Sequence, residues 1–289
     1  MEIKPILQKL KDGLRNAKPE LKDDDFGSEI KKERNYKDYY LYCYKNNCFD
    51  DPKNIKLGTG TRAIKSSAAF IYNIFGQDEI TINDINYGEI KYEEPLKALI
   101  GRNPAKLDGC LISKDNSKIK FFETKLLEWS GSPKNLSLAY LDKNNYFKCN
   151  NHREDFINFF TTISGPETKP DKKGEIRRKH KTKVYDAIQM TIHILGIYNA
   201  VCNNKILQKN IELVNLVWDY PHSRYEKEKT EALDYEKKFN DYFKPFFKEK
   251  GFDFKVKYIS FSDFILNTDI KFKKLERFEY LKKRYLLNK

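Results

Sequence analysis

Three residues could supply chemistry together: Asp108, Glu123 and Lys125, arranged as D-x14-E-x-K. Residues i and i+2 of a strand point to the same face, so Glu123 and Lys125 would project into one pocket. Carboxylates that converge beside a peptide carbonyl, here that of Thr124, are ligands that Mg²⁺ accepts, and Mn²⁺ takes similar ligands. The pattern therefore predicts a metal site formed by Asp108, Glu123 and the Thr124 carbonyl.

Lys125 has two candidate roles at such a site. As a neutral amine it would orient or deprotonate an attacking water, whereas as a cation it would neutralise negative charge that develops on a phosphate. A divalent ion contributes to water activation, charge stabilisation and leaving-group departure in phosphodiester hydrolysis. The alternative to catalysis is an exposed strand edge that carries a surface ion pair.

A hairpin would bring these residues together. Residues 106–112 and 118–125 are typical of strands, and the turn-forming residues 113–117 lie between them. In an antiparallel pair, Asp108 near the start of the first strand lies level with the end of the second. The sequence therefore predicts two carboxylates and a lysine at one end of the hairpin.

The rest of the chain predicts an α/β fold. Apolar residues recur at helical spacing over 62–75, just before Gly76, and again over 183–200. Further predicted elements are strands at 211–218 and 254–261, helices at 225–250 and 273–287, short β-favouring pieces interrupted at Pro95, and one amphipathic helix around Phe156, Phe159 and Phe160. This order predicts a mixed β-sheet sandwiched by helices.

We expect one domain with additions at both ends. The predicted parts are a helical N-terminal extension over 1–60, a core over 61–262 and a C-terminal helix within 263–289 that packs on the core. A chain of 289 residues is long enough to bury a substantial core.

Composition bounds the class of protein. The 55 Lys and Arg exceed the 42 acids and give a net charge of +13, which favours a polyanionic partner because each neutralised phosphate releases counterions. No apolar run approaches the roughly 20 residues of a membrane helix, and no signal-peptide core opens the sequence. We expect a cytoplasmic protein without a membrane partner.

Five cysteines are odd in number and scattered, which disfavours a disulfide framework. Cys43 and Cys48, together with Cys149 and His152, could offer four zinc ligands. The two pairs lie about a hundred residues apart and neither has a well-known zinc-finger spacing, so ordinary thiols are the favoured interpretation.

Two segments carry a resemblance to a known family. Asn103-Pro-Ala-Lys-Leu-Asp108-Gly and Phe121-Phe-Glu-Thr-Lys125 resemble the paired motif strands of the PD-(D/E)XK nuclease superfamily, in its restriction-endonuclease-like branch. The resemblance implies an αβββαβ core in which the aspartate and glutamate hold the metal and the lysine serves catalysis. Pro104 departs from the pattern because it stands four residues before the aspartate.

Other parts of the chain add to the resemblance. Residues 66–76 resemble the first core helix of that branch, and Gln189-Met-Thr-Ile-His193 resembles the helix that follows the motif strands. Gln189 and His193 share a helical face and could reach a metal-bound water or a phosphate, or His193 could be a core histidine. Glu94 or Glu93 could give a further carboxylate, although a solvated side chain is the favoured interpretation.

A basic segment precedes the Gln189 helix. Residues 169–183 contain eight Lys or Arg against two acids. On the nuclease interpretation its side chains contact backbone phosphate beside the cleft, and the candidates are Arg177, Arg178, Lys179 and Lys181. The alternative is a solvated loop.

These features together predict a Mg²⁺-dependent deoxyribonuclease, of the type II restriction kind. A repair or recombination nuclease of the same fold, or a nucleic-acid-binding protein without catalysis, remain as alternatives. DNA is the expected partner, and a homodimer is expected if two sites cut the two strands.

Overall fold

The computed structural model describes residues 4–20, 48–49, 67–127, 131–172 and 174–286. The strands are β1 (Ile80–Ile82), β2 (Ile85–Leu96), β3 (Ala105–Ser113), β4 (Lys118–Lys125), β5 (Leu136–Ser137), β6 (Ser164–Glu167), β7 (Arg177–His180), β8 (Asn210–Val217), β9 (Asp253–Ser260) and β10 (Ile270–Phe272). The α-helices are α1 (Lys4–Ala17), α2 (Ser67–Phe75), α3 (Arg153–Ile163), α4 (Ala187–Cys202), α5 (Ser223–Glu249), α6 (Phe261–Asn267) and α7 (Leu275–Tyr285). Two short 3-10 helices span Leu138–Leu141 and Lys143–Asn145.

The large sheet is mixed and curled, with seven strands in the order β10-β1-β2-β3-β4-β8-β9. Neighbours from β10 to β4 are antiparallel, whereas β4, β8 and β9 run parallel to one another. The prediction of an α/β fold with helices around a mixed sheet is therefore confirmed.

Helices cover both faces of this sheet. Phe122 points to one face and contacts Phe75 of α2 and Phe264 of α6, and α7 packs on the same side through Tyr285 against Phe70. On the opposite face lie α4 and α5, with α3 packed against both of them. Successive residues of β4 therefore face different helices, and Glu123 faces α4.

The β3–β4 hairpin forms as predicted, with the two strands antiparallel. Its turn is held by the Asp115 carboxylate, which accepts hydrogen bonds from the Ser113 hydroxyl (2.5 Å) and from the Ser117 amide (3.1 Å). Asn116 takes the left-handed conformation, with φ of 55°, that asparagine tolerates better than most residues. The turn composition thus accounts for the register of the strands that carry the site.

Pro95 does not interrupt the second strand, which corrects the prediction. β2 continues through Pro95 to Leu96, and Pro95 pairs with Lys106 of β3. On its other side β2 meets β1 only at residues 85–87, so none of the described strands receives an amide hydrogen from residue 95. Proline is tolerated at such an edge position.

Several elements were not predicted. β10 adds an edge strand to the large sheet beside β1, and a separate three-stranded sheet, β5-β7-β6, forms in the region where the sequence indicates only a helix. That helix is α3, which buries Phe156, Phe159 and Phe160 as predicted. At the two ends of the described chain, α1 packs on α7. Among the described helices, none combines the length and apolarity needed to cross a membrane.

Candidate active site

The predicted carboxylates lie level with each other on adjacent strands. The β3–β4 ladder ends at Gly109 opposite Phe122, so the next residues in register are Asp108 and Glu123. Directly opposite residues of an antiparallel pair project from the same face. The hairpin therefore brings Asp108 to the end of β4 that carries Glu123 and Lys125.

The Asp108 carboxylate turns to the residue between Glu123 and Lys125. Its Oδ2 accepts hydrogen bonds from the amide (2.7 Å) and the hydroxyl (2.6 Å) of Thr124. The Lys125 carbonyl accepts from the Trp218 amide beyond β8. Because carbonyls alternate in direction along a strand, the Thr124 carbonyl faces the β3 side, where Asp108 lies. The predicted oxygen ligands thus share one end of the hairpin.

Glu123, Lys125 and Gln189 form a closed triangle of hydrogen bonds. Glu123 Oε1 accepts from Lys125 Nζ (2.5 Å) and from Gln189 Nε2 (2.7 Å), while Gln189 Oε1 accepts from Lys125 Nζ (2.8 Å). The Glu123 and Lys125 side chains are only 4% and 12% exposed. Charge-assisted hydrogen bonds of this kind are short and strong. Helix α4 therefore fixes the acid and the lysine from above the sheet.

His193 lies one turn after Gln189 and meets the other oxygen of Glu123. Its Nε2 is 3.0 Å from Glu123 Oε2, yet neither ring nitrogen has a well-aligned hydrogen bond within the described chain. The residue is 2% exposed. His193 therefore supports the carboxylate from inside the protein, which matches a core position more closely than contact with phosphate.

The two carboxylates respond to this environment in opposite ways. Burial alone would raise the pKa of Glu123, but the Lys125 ammonium and the adjacent His193 lower it to about 2. The Asp108 residue is half-buried, but its carboxyl group is enclosed by protein. That burial and the charge of Glu123 raise the pKa of Asp108 well above its usual value, despite opposing hydrogen bonds from Thr124. Neighbouring acids with separated pKa values are typical of functional sites.

The suggested additional carboxylates do not join this pair. Glu93 lies on β2, the strand next to β3, and its side chain forms an ion pair with Lys106 (3.2 Å). Glu94 is opposite Leu107 and makes no hydrogen bond or ion pair to the residues that the structure describes. Across the described ranges, no three His, Cys, Asp or Glu side chains converge as a metal-binding group.

Some side chains of the basic segment face solvent, and others contact the protein. Arg177 and Lys179 are exposed, and Arg177 forms an ion pair with Glu175 (2.6 Å). Arg178 is half-buried and donates from Nε to the Gly165 carbonyl (2.8 Å). Lys181 is exposed and donates to a main-chain carbonyl, that of residue 162, at 2.7 Å. The alternation of a strand thus directs Arg177 and Lys179 outward and Arg178 inward.

Two residues that the sequence did not suggest belong to the surroundings of the site. Asp186 is the N-cap of α4 and accepts from the Gln189 amide (2.9 Å). Burial raises the pKa of Asp186, but His180, the Gln189 amide and Lys125 together bring it below its usual value. The capping signal was readable, because an aspartate three residues before Gln189 can accept that hydrogen bond.

The second such residue is Asn215 of β8. It stands in register with Glu123 across the parallel β4–β8 pair and is 1% exposed. Within the described chain, neither its amide nitrogen nor its amide oxygen has a hydrogen-bond partner. The signal was a polar residue in an otherwise apolar strand from Ile211 to Val217.

The candidate zinc ligands do not assemble among the described residues. Cys48 is buried against Ala69 and Tyr72 of α2. His152 instead lies against α5, where its ring stacks on Phe246 and its nitrogens contact the carboxylates of Asp155 and Glu249. Cys43 lies outside the residues that the structure describes.

Comparison of the chain with protein-family models, with curated proteins and with solved structures gives no match.

Proposed function

We propose that this protein is a Mg²⁺-dependent endonuclease that hydrolyses phosphodiester bonds of DNA, with a restriction-endonuclease-like core of the PD-(D/E)XK type. The observation that carries the proposal is the buried triangle of Glu123, Lys125 and Gln189, set beside Asp108 at the end of one hairpin. An acid, a lysine and a second acid in this arrangement suit phosphoryl chemistry, in which a cation and an ammonium offset the charge of the phosphate.

The donor set fits a hard divalent cation. Asp108 and Glu123 supply carboxylate oxygens, and the Thr124 carbonyl faces the same side of the hairpin. Mg²⁺ is commonly bound through one or two carboxylates, with waters and substrate phosphate completing its shell, so no third carboxylate is required. Burial and the charge of Glu123 raise the pKa of Asp108, and a cation between the acids would compensate both effects. Mg²⁺ at this position would activate water and polarise the phosphate, and Mn²⁺ is an expected substitute.

The contacts of Lys125 favour one of its two candidate roles. Its ammonium lies 2.5 Å from Glu123 Oε1, and an opposite charge at that distance stabilises the charged form. Lys125 then acts by neutralising negative charge on the phosphate in the transition state. Gln189 holds both the ammonium and the carboxylate in place, which is a positioning role.

Cleavage of supercoiled plasmid tests the proposal. We expect nicking or cutting with Mg²⁺, none with EDTA, and a loss of rate on the order of a hundredfold to a thousandfold in Lys125→Ala. Asp108→Ala and Glu123→Ala should be at least as severe. The matched control is Lys120→Ala, which removes another β4 lysine that is paired with Glu212 of β8. Wild-type rates in Lys125→Ala would contradict the proposal.

The choice of substrates separates a restriction enzyme from a repair nuclease. A restriction-type enzyme produces fragments with uniform ends from a defined plasmid. A structure-specific nuclease prefers a junction or a single strand. Because cutting a duplex requires two cleavage events, the proposal includes a homodimer, which light scattering on the DNA-bound protein would detect.

One observation favours a binding function without catalysis. The described residues provide only two clustered carboxylates, while an exposed basic strand lies nearby. Binding that weakens steeply with salt, without cleavage under Mg²⁺ or Mn²⁺, would support this second function.

A further inference from the structure

The small sheet extends the candidate site into solvent as a hairpin. Residues 164–172 and 174–180, which we call the basic ribbon, comprise β6, β7 and the described part of the segment between them. β6 and β7 are antiparallel, and Thr168 continues the pairing by donating its amide to the Arg177 carbonyl (2.7 Å). At the tip, the Asp171 amide donates to the Glu175 carbonyl (3.0 Å), and the Gly174 amide donates to the Asp171 carbonyl (2.9 Å). The ribbon therefore has a defined backbone up to its turn.

Beyond its base, where Ser164, Gly165 and the His180 side chain are covered, the ribbon is exposed. Between 166 and 177, every residue that the structure describes is exposed except half-buried Thr168. Gly174 at the tip has φ of +76°, and apart from its chain neighbours no described residue has an atom within 4 Å of the place a Cβ would occupy. The sequence from 164 to 181 holds seven Lys or Arg against three acids. An exposed positive hairpin is suited to contact with a polyanion.

The base of the ribbon is tied to the candidate active site. His180, whose side chain is 4% exposed, places Nε2 3.5 Å from Asp186 Oδ1. Asp186 caps α4 at Gln189, the residue that contacts both Glu123 and Lys125. A carboxylate of α5, that of Glu231, also accepts from the consecutive amides of residues 183–185, each at 2.9 Å. These contacts fix the direction of the ribbon relative to the site.

We propose that the basic ribbon enters the major groove of duplex DNA and determines which sequence the protein selects. This inference rests on the proposed function, because it takes DNA as the substrate. The major groove is about 12 Å wide and admits a two-stranded β-ribbon. Six or seven residues separate His180 from the tip, which gives a reach of about 20 Å at about 3.3 Å per residue.

The placement assigns different tasks to the two ends of the ribbon. A reach of about 20 Å from the base spans roughly six base pairs, at about 3.4 Å per pair. Lys172 near the tip offers a donor for guanine. Lys179 and Lys181 at the base face solvent and contact backbone phosphate, which positions the duplex without reading its sequence.

Selection from a randomised duplex pool tests the inference without relying on cleavage. Both proteins carry Asp108→Asn so that bound DNA is not cut. In the test variant, residues 169–176 are replaced by Asn-Gly, a two-residue turn that keeps the Thr168–Arg177 pair. The replacement removes three lysines and two acids, so the loss of charge is small. Thermal unfolding of both proteins verifies that the shortened form is folded.

We expect the parent to enrich a defined sequence and the shortened form to lose at least about tenfold of that enrichment. Its affinity for random duplex should stay within about threefold of the parent. A second variant, Lys172→Ala, keeps the ribbon backbone and should relax the preference at one base pair. By contrast, Lys181→Gln at the base should weaken binding to every sequence equally and leave the enriched sequence unchanged.

Three results would overturn the inference: no enrichment by the parent, the same enrichment by the shortened form, or equal competition by double-stranded RNA. The deep, narrow major groove of A-form RNA excludes a ribbon. If the parent binds no DNA, the proposed function is contradicted as well. Cleavage of plasmid by the wild-type protein with Mg²⁺, together with unchanged enrichment after shortening, would contradict the ribbon inference alone.

Discussion

The candidate active site buries its charged side chains, whereas the basic ribbon exposes them to solvent. At the site, Glu123 and Lys125 are almost fully covered and each has several partners. On the ribbon, the Arg177–Glu175 pair is about half exposed on both sides. Coulomb interactions are much stronger in the protein interior than in water, and removing one member of a buried pair leaves a costly uncompensated charge. Changes at the site should therefore alter stability and rate, whereas changes on the ribbon should alter salt-dependent affinity.

The largest effect is expected for Glu123→Gln. It leaves the buried Lys125 ammonium without its counter-charge and should lower the free energy of unfolding by about 3–5 kcal/mol. The pKa of Glu123 is lowered to about 2 in the folded protein. Its carboxylate therefore stabilises the fold at pH values above the pKa of glutamate in the unfolded chain, and this effect is lost as the pH falls towards 2. The deficit of the variant should shrink over the same range, as measured by urea unfolding at several pH values.

The control for this variant is Glu212→Gln. Glu212 of β8 pairs with Lys120 of β4, but both side chains are nearly one-fifth exposed. We expect a cost of about 1 kcal/mol or less, because solvent screens the pair. Equal losses in the two variants would show that the depth of burial does not distinguish the site from its surroundings.

Sequence reasoning located the acids and the lysine because their positions depend on local signals. The turn from Ser113 to Ser117 sets the β3–β4 register, and the two-residue spacing puts Glu123 and Lys125 on one face. Gln189 and His193 were singled out by the resemblance of residues 189–193 to a helix of the nuclease superfamily, and the i, i+4 repeat puts them on one helical face. The hairpin residues depend on local contacts, whereas the contact of Gln189 with Glu123 joins positions 66 apart.

Other features depend on tertiary contacts that no local pattern encodes. The position of Asn215 beside Glu123 requires the parallel pairing of β4 with β8, whose residues are 92 positions apart. The small sheet was missed because β5 has two residues and β7 has four, which is too short for an alternation to be read. β10 likewise has three residues and pairs with a strand far earlier in the chain.

A stabilising effect is expected for Asp108→Asn. The folded protein retains a proton on Asp108 at pH values where the unfolded chain has released it, because burial and Glu123 raise its pKa. Wild-type stability therefore falls as the pH rises above about 4, the value for an unfolded aspartate. Asparagine does not titrate and can still accept from Thr124, so at pH 8 without metal the variant should be more stable by about 0.5–2 kcal/mol.

Thermal unfolding with and without Mg²⁺ measures this difference. The advantage of Asp108→Asn should disappear below pH 4, where aspartate is protonated in both states. Saturating Mg²⁺ should stabilise the wild type and leave the variant unchanged. A variant less stable than wild type at pH 8 would show that Asp108 is a structural residue of the hairpin, not a strained member of a metal site.

A smaller effect is expected for Lys179→Gln on the ribbon. Lys179 is exposed, so the substitution should leave stability unchanged and remove one phosphate contact. The slope of log affinity against log salt should fall by about 0.9. The control is Lys237→Gln on α5, a 79% exposed lysine that pairs with Asp241. An identical change of slope in the two variants would mean that net charge, not the ribbon, sets the affinity.

The smallest effect, and the one with the opposite sign, is expected for Glu175→Gln. The exposed pair of Glu175 with Arg177 contributes about 0.5 kcal/mol or less to stability, because solvent screens it. Its removal releases Arg177 and deletes a negative charge beside the DNA, so affinity at low salt should rise by about twofold. Fluorescence anisotropy with a labelled duplex measures the change. Unchanged or weaker DNA binding by Glu175→Gln would show that the ribbon is not part of the DNA-binding surface. Because the same type of substitution at Glu123 should destabilise the protein, the two regions would then differ in burial alone.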